Sequence, residues 1–385
     1  MKRVLCSILI LSLFFCGCSI KEEKTPLADS NAYVKGVWFT YSEIDSMLSS
    51  NDFKKEFKNA VSNLSMLKII DAFIHIRAFG DSLYKSDYFP LCEKVEKYDF
   101  DVFEYMIENC HNAGIRVHAW INPYRIRLAN TDTSSLPQSG TVYNWLNDED
   151  IENDNNICIS NGIYLNPASA QSRRLVIDGV REAALNYNID GIHFDDYFYP
   201  TTDIEFDKSS YEQYVAENSS PLSLEFWRRA NVNALISGCY TAIKFIDKEI
   251  IFSISPAASV GKNYSEYYAD VSAWVTAGCV DWIIPQIYFG FEYPVKEYCF
   301  EELLAIWKNT IASYDTRLII GLAAYKVGTT QEPDNTEWCK YDDILFRQSE
   351  ICQNDNTVSG HVFFSYSSLF SNKKANERAR KLLQE

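Results

Sequence analysis

Residues 190–200 read Asp-Gly-Ile-His-Phe-Asp-Asp-Tyr-Phe-Tyr-Pro. An apolar run that starts at a glycine ends in two adjacent carboxylates, Asp195 and Asp196, followed by a cluster of aromatic rings. Such a run predicts a short buried strand whose last residues emerge into a cleft. Side chains alternate along a strand, so His193 and Asp195 share one face and Ile192 and Phe194 the other. The pair of acids therefore divides into Asp195, pointing with the histidine, and Asp196, at the rim.

Working outward, the same unit recurs. Short apolar, β-rich runs are expected as strands over 35–40, 69–76, 115–121, 249–255, 280–288, 317–323 and 360–365. Segments with apolar residues at three- and four-residue steps predict helices over 52–68, 102–113, 170–187, 224–246, 264–277, 297–313, 342–353 and 373–383. With 190–200 as the fourth strand, this makes eight strands, each followed by a helix. Apolar strands alternating with amphipathic helices imply a parallel sheet covered by helices. Eight units in one domain fit a closed (β/α)8 TIM barrel of the α/β class. No GxGxxG or GxxxxGK[ST] follows any strand, which removes the nucleotide-binding α/β folds. A long polar segment, 126–168, interrupts the rhythm after the third strand and is expected to form a lid or wall.

The chain has 385 residues, 47% of them hydrophobic, and a formal net charge of −16. That charge excludes nucleic acid as a partner, since phosphates require Lys and Arg. Twenty-five Tyr, 23 Phe and 8 Trp exceed what a core needs and suit flat platforms for the apolar faces of sugar rings. At the N-terminus Lys2 and Arg3 precede an apolar run, 4–15, too short for an ordinary membrane span. The run closes in Phe15-Cys16-Gly17-Cys18-Ser19, which resembles a bacterial lipobox with Cys18 as the lipidated residue. The expected division is a leader over 1–17, a polar tether over 18–33 and the barrel over 34–385. The expected location is the bacterial cell envelope, lipid-anchored to the membrane, with Ser19 and Glu22-Glu23 pointing to the outer membrane. The eight cysteines beyond Cys18 contain no CxxC, so unpaired buried thiols are expected in preference to disulfides or a zinc site.

Barrel strands are buried on both faces, so polar residues near their ends are informative. His75 and Arg77 share a parity, as do His118, Trp120 and Asn122, then His193 and Asp195, then Ser253 and Ser255, then Gln286 and Tyr288. These sets fall mostly towards C-terminal strand ends, where the active sites of this fold are built. The carboxylates at such ends are Glu43, Asp45, Asp81, Asp195, Asp196 and Glu292. Cleavage of a glycosidic bond needs one carboxyl to protonate the leaving oxygen and another to attack carbon or activate water. Parity makes Asp195 the expected nucleophile or base and Asp196 the expected acid, with Asp81 or Glu292 as other partners for Asp195. No HxH or HExxH occurs, so no metal is expected, and no cofactor.

The residues that carry chemistry also carry a resemblance. Gly36-Val37-Trp38, Gly80-Asp81-Ser82-Leu83-Tyr84, His118-Ala119-Trp120-Ile121-Asn122-Pro123-Tyr124-Arg125 and Leu165-Asn166-Pro167 belong to it. So do the opening stretch, Trp227-Arg228-Arg229, Ile254-Ser255-Pro256 and Asp281-Trp282-Ile283-Ile284-Pro285-Gln286-Ile287-Tyr288. Together these make the chain similar to glycosyl hydrolase-like family 10, bacterial barrel proteins related to glycoside hydrolases. The resemblance implies glycosidase activity, with peptidoglycan or another N-acetylhexosamine-containing glycan as substrate. Phe289-Gly290-Phe291-Glu292 departs from the family pattern and lowers Glu292 among the candidate acids. Arg77, Asp81, Asn122, Arg125, His193, Gln286 and Tyr288 are then expected to bind sugar or orient the acids, with Trp120 and Tyr197 as stacking surfaces. If the substrate carries an acetamido group, its carbonyl oxygen could itself attack. The competing expectation is a non-catalytic glycan-binding lipoprotein on the same scaffold.

Overall fold

The computed structural model describes residue 29 and residues 31–329, 335–341 and 343–371. The expected leader with Cys18, most of the tether and the final helix over 373–383 lie outside the described residues. The barrel strands are β1 (Val34–Phe39), β2 (Asp71–Arg77), β3 (Arg116–Ile121), β4 (Gly191–Phe194), β5 (Ile251–Ile254), β6 (Trp282–Ile283), β7 (Arg317–Ala323) and β8 (Gly360–Phe364). They form a closed parallel barrel in which each pairs with its sequence neighbours and β8 pairs with β1. The fold is the (β/α)8 barrel that the alternation of strand and helix patterns implies.

Period-two alternation sorts each strand between two cores. Val37, Phe39, Ile74, Val117, Ile192 and Phe194 pack outward against the helices. Val34, Trp38, Phe73, Trp120, Ile251, Trp282, Ile319 and Val362 fill the interior. Gly191 opens β4 because a Cβ there would lie 2.3 Å from the His118 ring and 3.0 Å from the Ile251 carbonyl. The N-terminal end of the barrel is closed by charge. Asp71 accepts two hydrogen bonds from Arg116, at 2.8 and 2.9 Å, and meets His118 Nε2 at 2.9 Å, all three residues being buried. Burial alone would raise the Asp71 pKa, but His118 and Arg116 outweigh it and hold it below the ordinary value.

The seam between β8 and β1 is held by Glu43, at the start of helix Tyr41–Leu48. Its carboxylate accepts from Ser365 Oγ at 2.5 Å, the Ser367 amide at 2.6 Å and the Thr40 amide at 2.7 Å. Glu43 is thereby engaged in structure and is no catalytic candidate.

Three departures from the expected elements have local causes. The helix expected over 264–277 is two, Val260–Ser265 and Val271–Thr276, because Tyr268 between them has φ +55°. A further helix, Lys208–Glu217, has little amphipathic pattern and no buried residue, so nothing in its sequence marked it. The long segment after β3 contains an antiparallel sheet of Arg125–Leu128, Gly162–Leu165 and Ile157–Ile159. Asn166 fastens that sheet, donating to the Asn155 carbonyl and to Ser210 Oγ, each at 2.8 Å. Among the described residues no helix is long and apolar enough to cross a membrane. Eight described cysteines are free thiols; Cys92 and Cys299 are half-buried and Cys339 is exposed, where burial had been expected throughout.

Candidate active site

The C-terminal end of β4 carries Asp195, only 3% exposed, on the inward face that His193 also occupies. Asn122 Nδ2 donates to Asp195 Oδ2 at 2.7 Å and Trp120 Nε1 donates to the same oxygen at 3.2 Å. Both donors lie at the end of β3, whose parity matches that of β4. Oδ1 has only a long contact of 3.4 Å from the Tyr197 amide. Asn122 Nδ2 also reaches His75 Nε2 at 3.2 Å, and the His75 ring stacks on Trp120 with centroids 3.8 Å apart. Burial, with the nearby Arg125 charge, keeps the His75 pKa well below its usual value, so the ring is neutral. A neutral ring facing an N–H donor accepts through Nε2, which places its proton on Nδ1.

Asp196 follows immediately and is half-buried, with Gln286 close enough to lower its pKa while its Nε2 donates to the Ser255 carbonyl at 3.1 Å. Burial pushes Asp195 from 3.8 up to about 7, helped by the charge of Asp196 and opposed by Arg125. Burial likewise lifts Asp196 to about 6, against its backbone hydrogen bond, Gln286 and Arg125. Between those values Asp195 holds its proton while Asp196 is ionised.

Arg125 connects the acids to the wall. Its guanidinium lies 5.1 Å from the Tyr197 ring and 4.9 Å from the Phe79 ring, while Nε donates to the Ala78 carbonyl at 3.0 Å. Tyr197 is 55% exposed, as a stacking surface requires. Tyr288 is half-buried near Tyr325 and Phe364, and its pKa is raised by burial, with both acids among the lesser causes.

Five expected site residues sit elsewhere or act differently. Arg77 does not share the face of His75. The β2–β3 register shifts between them, so that Arg77 pairs with outward-facing Ile121. Its guanidinium lies 4.1 Å from the Phe89 ring in the helix layer, where burial lowers its pKa to about 10. His193 lies beneath the acids with both ring nitrogens occupied, by Trp38 Nε1 at 3.0 Å and Ser253 Oγ at 2.8 Å, so it supports the floor and does not meet substrate. Trp120 is a positioning residue, since His75 covers one ring face and its N–H is used on Asp195. Asp81 lines a separate cavity. Glu292 is exposed, accepting from Tyr341 Oη at 3.2 Å.

The sequence reading missed how the loop after the acids is fixed. Arg228 donates to Asp207, at 3.1 Å through Nε, and to the Asp203 carbonyl at 2.7 Å, while Tyr199 Oη donates to Asp207 at 3.1 Å. The Trp227-Arg228-Arg229 motif was the available signal, but its partner lies twenty-one residues upstream of Arg228. Tyr41 was also missed; its exposed ring edges towards His75 at 6.0 Å and Phe79 at 5.1 Å. Among the described residues no group of three His, Cys, Asp or Glu could hold a metal ion.

The fold has many relatives. The glycoside hydrolase domain of PgaB (BpsB) from Bordetella bronchiseptica superposes with a TM-score of 0.60 at 13% identity, covering 88% of this chain and 96% of that one. The catalytic domain of β-amylase from Paenibacillus polymyxa gives 0.58 at 10% identity, covering 92% and 98%. At such identities the likeness is one of fold. In sequence, the glycosyl hydrolase YngK of Bacillus subtilis (strain 168) is 29% identical over 90% of this chain and 70% of its own length. The glycosyl hydrolase DigH of Escherichia coli (strain K12) is 28% identical over 98% of this chain and 95% of its own. The glycosyl hydrolase-like 10 profile matches residues 33–340, and the chain belongs to that family.

Proposed function

We propose that this protein is a glycoside hydrolase that cleaves O-glycosidic bonds in an N-acetylhexosamine-containing glycan such as peptidoglycan. The observation that carries the reading is the pair of buried Asp195 and half-buried Asp196 at a C-terminal strand end, with pKa values of about 7 and about 6. Between those values one carboxyl is protonated and its neighbour ionised, the state that acid-assisted glycoside cleavage uses.

Parity alone made Asp196 the acid; the environments favour the reverse. Asp195 Oδ2 takes both side-chain donors, leaving Oδ1 for the proton, while the Gln286 side chain and a backbone hydrogen bond support ionised Asp196. In the reaction, Asp195 gives its proton to the leaving oxygen as the anomeric C–O bond breaks. Water then adds to the anomeric carbon and its proton passes to a carboxylate, restoring the pair. Two acids adjacent on one strand do not readily flank a substrate from opposite sides. That favours the form in which the substrate's acetamido oxygen bonds to the anomeric carbon as the leaving group departs, with Asp196 orienting the acetamido N–H. The incoming water then breaks that new C–O bond and gives its proton to Asp195.

Mass analysis of products from purified peptidoglycan strands and a panel of polysaccharides tests the reading. Shortened glycans support it, whereas binding without any product would leave the capture protein. The activity should follow a bell-shaped pH profile with limbs near 6 and near 7. Arg125 lowers both acids, so Arg125→Gln is expected to move both limbs upward. Unmoved limbs would remove Arg125 from the electrostatics of the pair.

We propose in addition that Cys18 is the lipid-bearing first residue of the mature protein and holds it at the envelope membrane. Cys18→Ser should shift the protein from the membrane pellet to the soluble fraction in cell fractionation.

A further inference from the structure

A cavity of about 330 Å³ opens between the loop after β2 and the segment after β3, lined among others by Phe79, Asp81, Tyr88, Phe89, Leu136 and Tyr143. That volume is at the lower end for small-molecule sites and fits one or two pyranose rings. Its position relative to the acids is set by Phe79, whose ring belongs to the cavity and also meets the Arg125 guanidinium at 4.9 Å. Arg125 in turn lies 5.1 Å from Tyr197, the residue after Asp196. A glycan resting on Tyr197 and crossing Arg125 therefore meets Phe79 next, and the ring beyond it meets the cavity.

The polar groups on the wall select the ligand. Arg127 is already committed, its two terminal nitrogens donating to Ser135 Oγ at 3.0 Å and to the Ser135 carbonyl at 2.5 Å. Thr141 Oγ1 donates to the Tyr88 carbonyl at 3.3 Å. Asp81 remains, half-buried on the cavity wall. Burial, with Asp45 adding to it, raises its pKa against the opposing charge of Arg127, so a cation brought closer to Asp81 than that guanidinium relieves it further. A ring with apolar C–H faces and one ammonium group satisfies both walls, laying carbon on the aromatic rings and charge on Asp81. A net charge of −16 draws such a ligand in.

We propose that this cavity is an accessory subsite for a hexosamine unit bearing a free amino group, on the same glycan chain that the Asp195–Asp196 cleft engages. This rests on the glycosidase reading for the identity of the chain, and on the cavity alone for the preference. The test is calorimetric titration of the full chain with a glucosamine tetramer and an N-acetylglucosamine tetramer at pH 6. The amino tetramer should bind at least about 10-fold more tightly, the worth of one charge-assisted contact in a partly desolvated site. Asp81→Asn should bring the two affinities together, and Leu136→Trp, which fills the cavity, should do the same by a different route. Equal affinities in the unmodified protein, or a preference that survives both substitutions, would overturn the proposal. Thermal unfolding of each variant identifies one that has lost its fold, and the other variant then decides. A protein that prefers the amino tetramer but cleaves no glycan retains the subsite and loses the glycosidase reading. Cleavage with no amine preference does the opposite.

Discussion

Asp195→Asn is expected to lower kcat on a natural glycan by at least about 10³-fold while glycan binding persists. Asparagine keeps the shape and can still accept from Asn122 and Trp120, but it has no proton to give to the leaving oxygen. The loss should therefore shrink on an aryl N-acetylhexosaminide whose leaving group needs no protonation. Asp196→Asn should lose activity on both substrates. Equal losses of Asp195→Asn on both would return the acid role to Asp196. A stability measurement accompanies the kinetics. Because the folded pKa of Asp195 is raised from 3.8 to about 7, the native state holds the proton more tightly than the unfolded chain between those values. Stability is thus full below about pH 4, falls as pH rises through the window, and is lost from this source above about 7. Asp195→Asn removes that loss, so it should gain on the order of 3 kcal/mol over the unmodified protein at pH 8.5 and little at pH 4. An acid retained at such a cost to the fold is consistent with one kept for chemistry.

Asp71→Ala is expected to destabilise the fold by about 3–5 kcal/mol, read from denaturant midpoints. Asp71 is the shared anion for Arg116 and His118 in the barrel floor, and truncation strands a buried guanidinium. Two further aromatic and cationic contacts crowd the same place, with Arg116 at 5.5 Å and Arg317 at 5.3 Å from the Trp282 ring. Without Asp71 the repulsion between Arg116 and Arg317 loses one of the carboxylates that offset it. A loss below about 1 kcal/mol would mean that water enters the floor and replaces the carboxylate. The Asp71 pKa is held down in the fold, so this contribution is present above the ordinary aspartate value and disappears as pH falls through the native one.

The barrel was legible because its strands are apolar on both faces and its helices on one, a contrast that survives without knowledge of any contact. Asp195 was legible for a related reason: β4 is short and regular, so alternation carries from Ile192 to the strand end without error. Arg77 was not, since alternation assumes an unbroken ladder and the register shift after His75 leaves no mark in residue type. The role of His193 failed differently. Its direction was right, but the distance along the barrel axis that separates floor from cleft depends on Trp38 and Ser253, supplied by β1 and β5. The order of the two acids depends on which oxygens are already occupied, a matter of ångströms that no spacing encodes. Asp81 was expected with the acids because it follows a strand end. It stands apart because the segment after β3 folds across the Phe79 wall and encloses it.

Glu43 gives the ring a timetable. Its bonds to Ser365 and Ser367 join residues 322 and 324 positions apart. During synthesis the first strand must therefore wait, unpaired on one edge, until almost the whole barrel has emerged. Contacts of such sequence separation are slow to form, because loop closure is opposed by chain entropy until the last strand docks. A nascent or truncated chain that stops short of Gly360 leaves β1 and β7 each with an open edge, a template for pairing with a second unfinished copy. Completing the chain is what turns an aggregation-prone sheet into a sealed cylinder, and Glu43 is the latch that closes last.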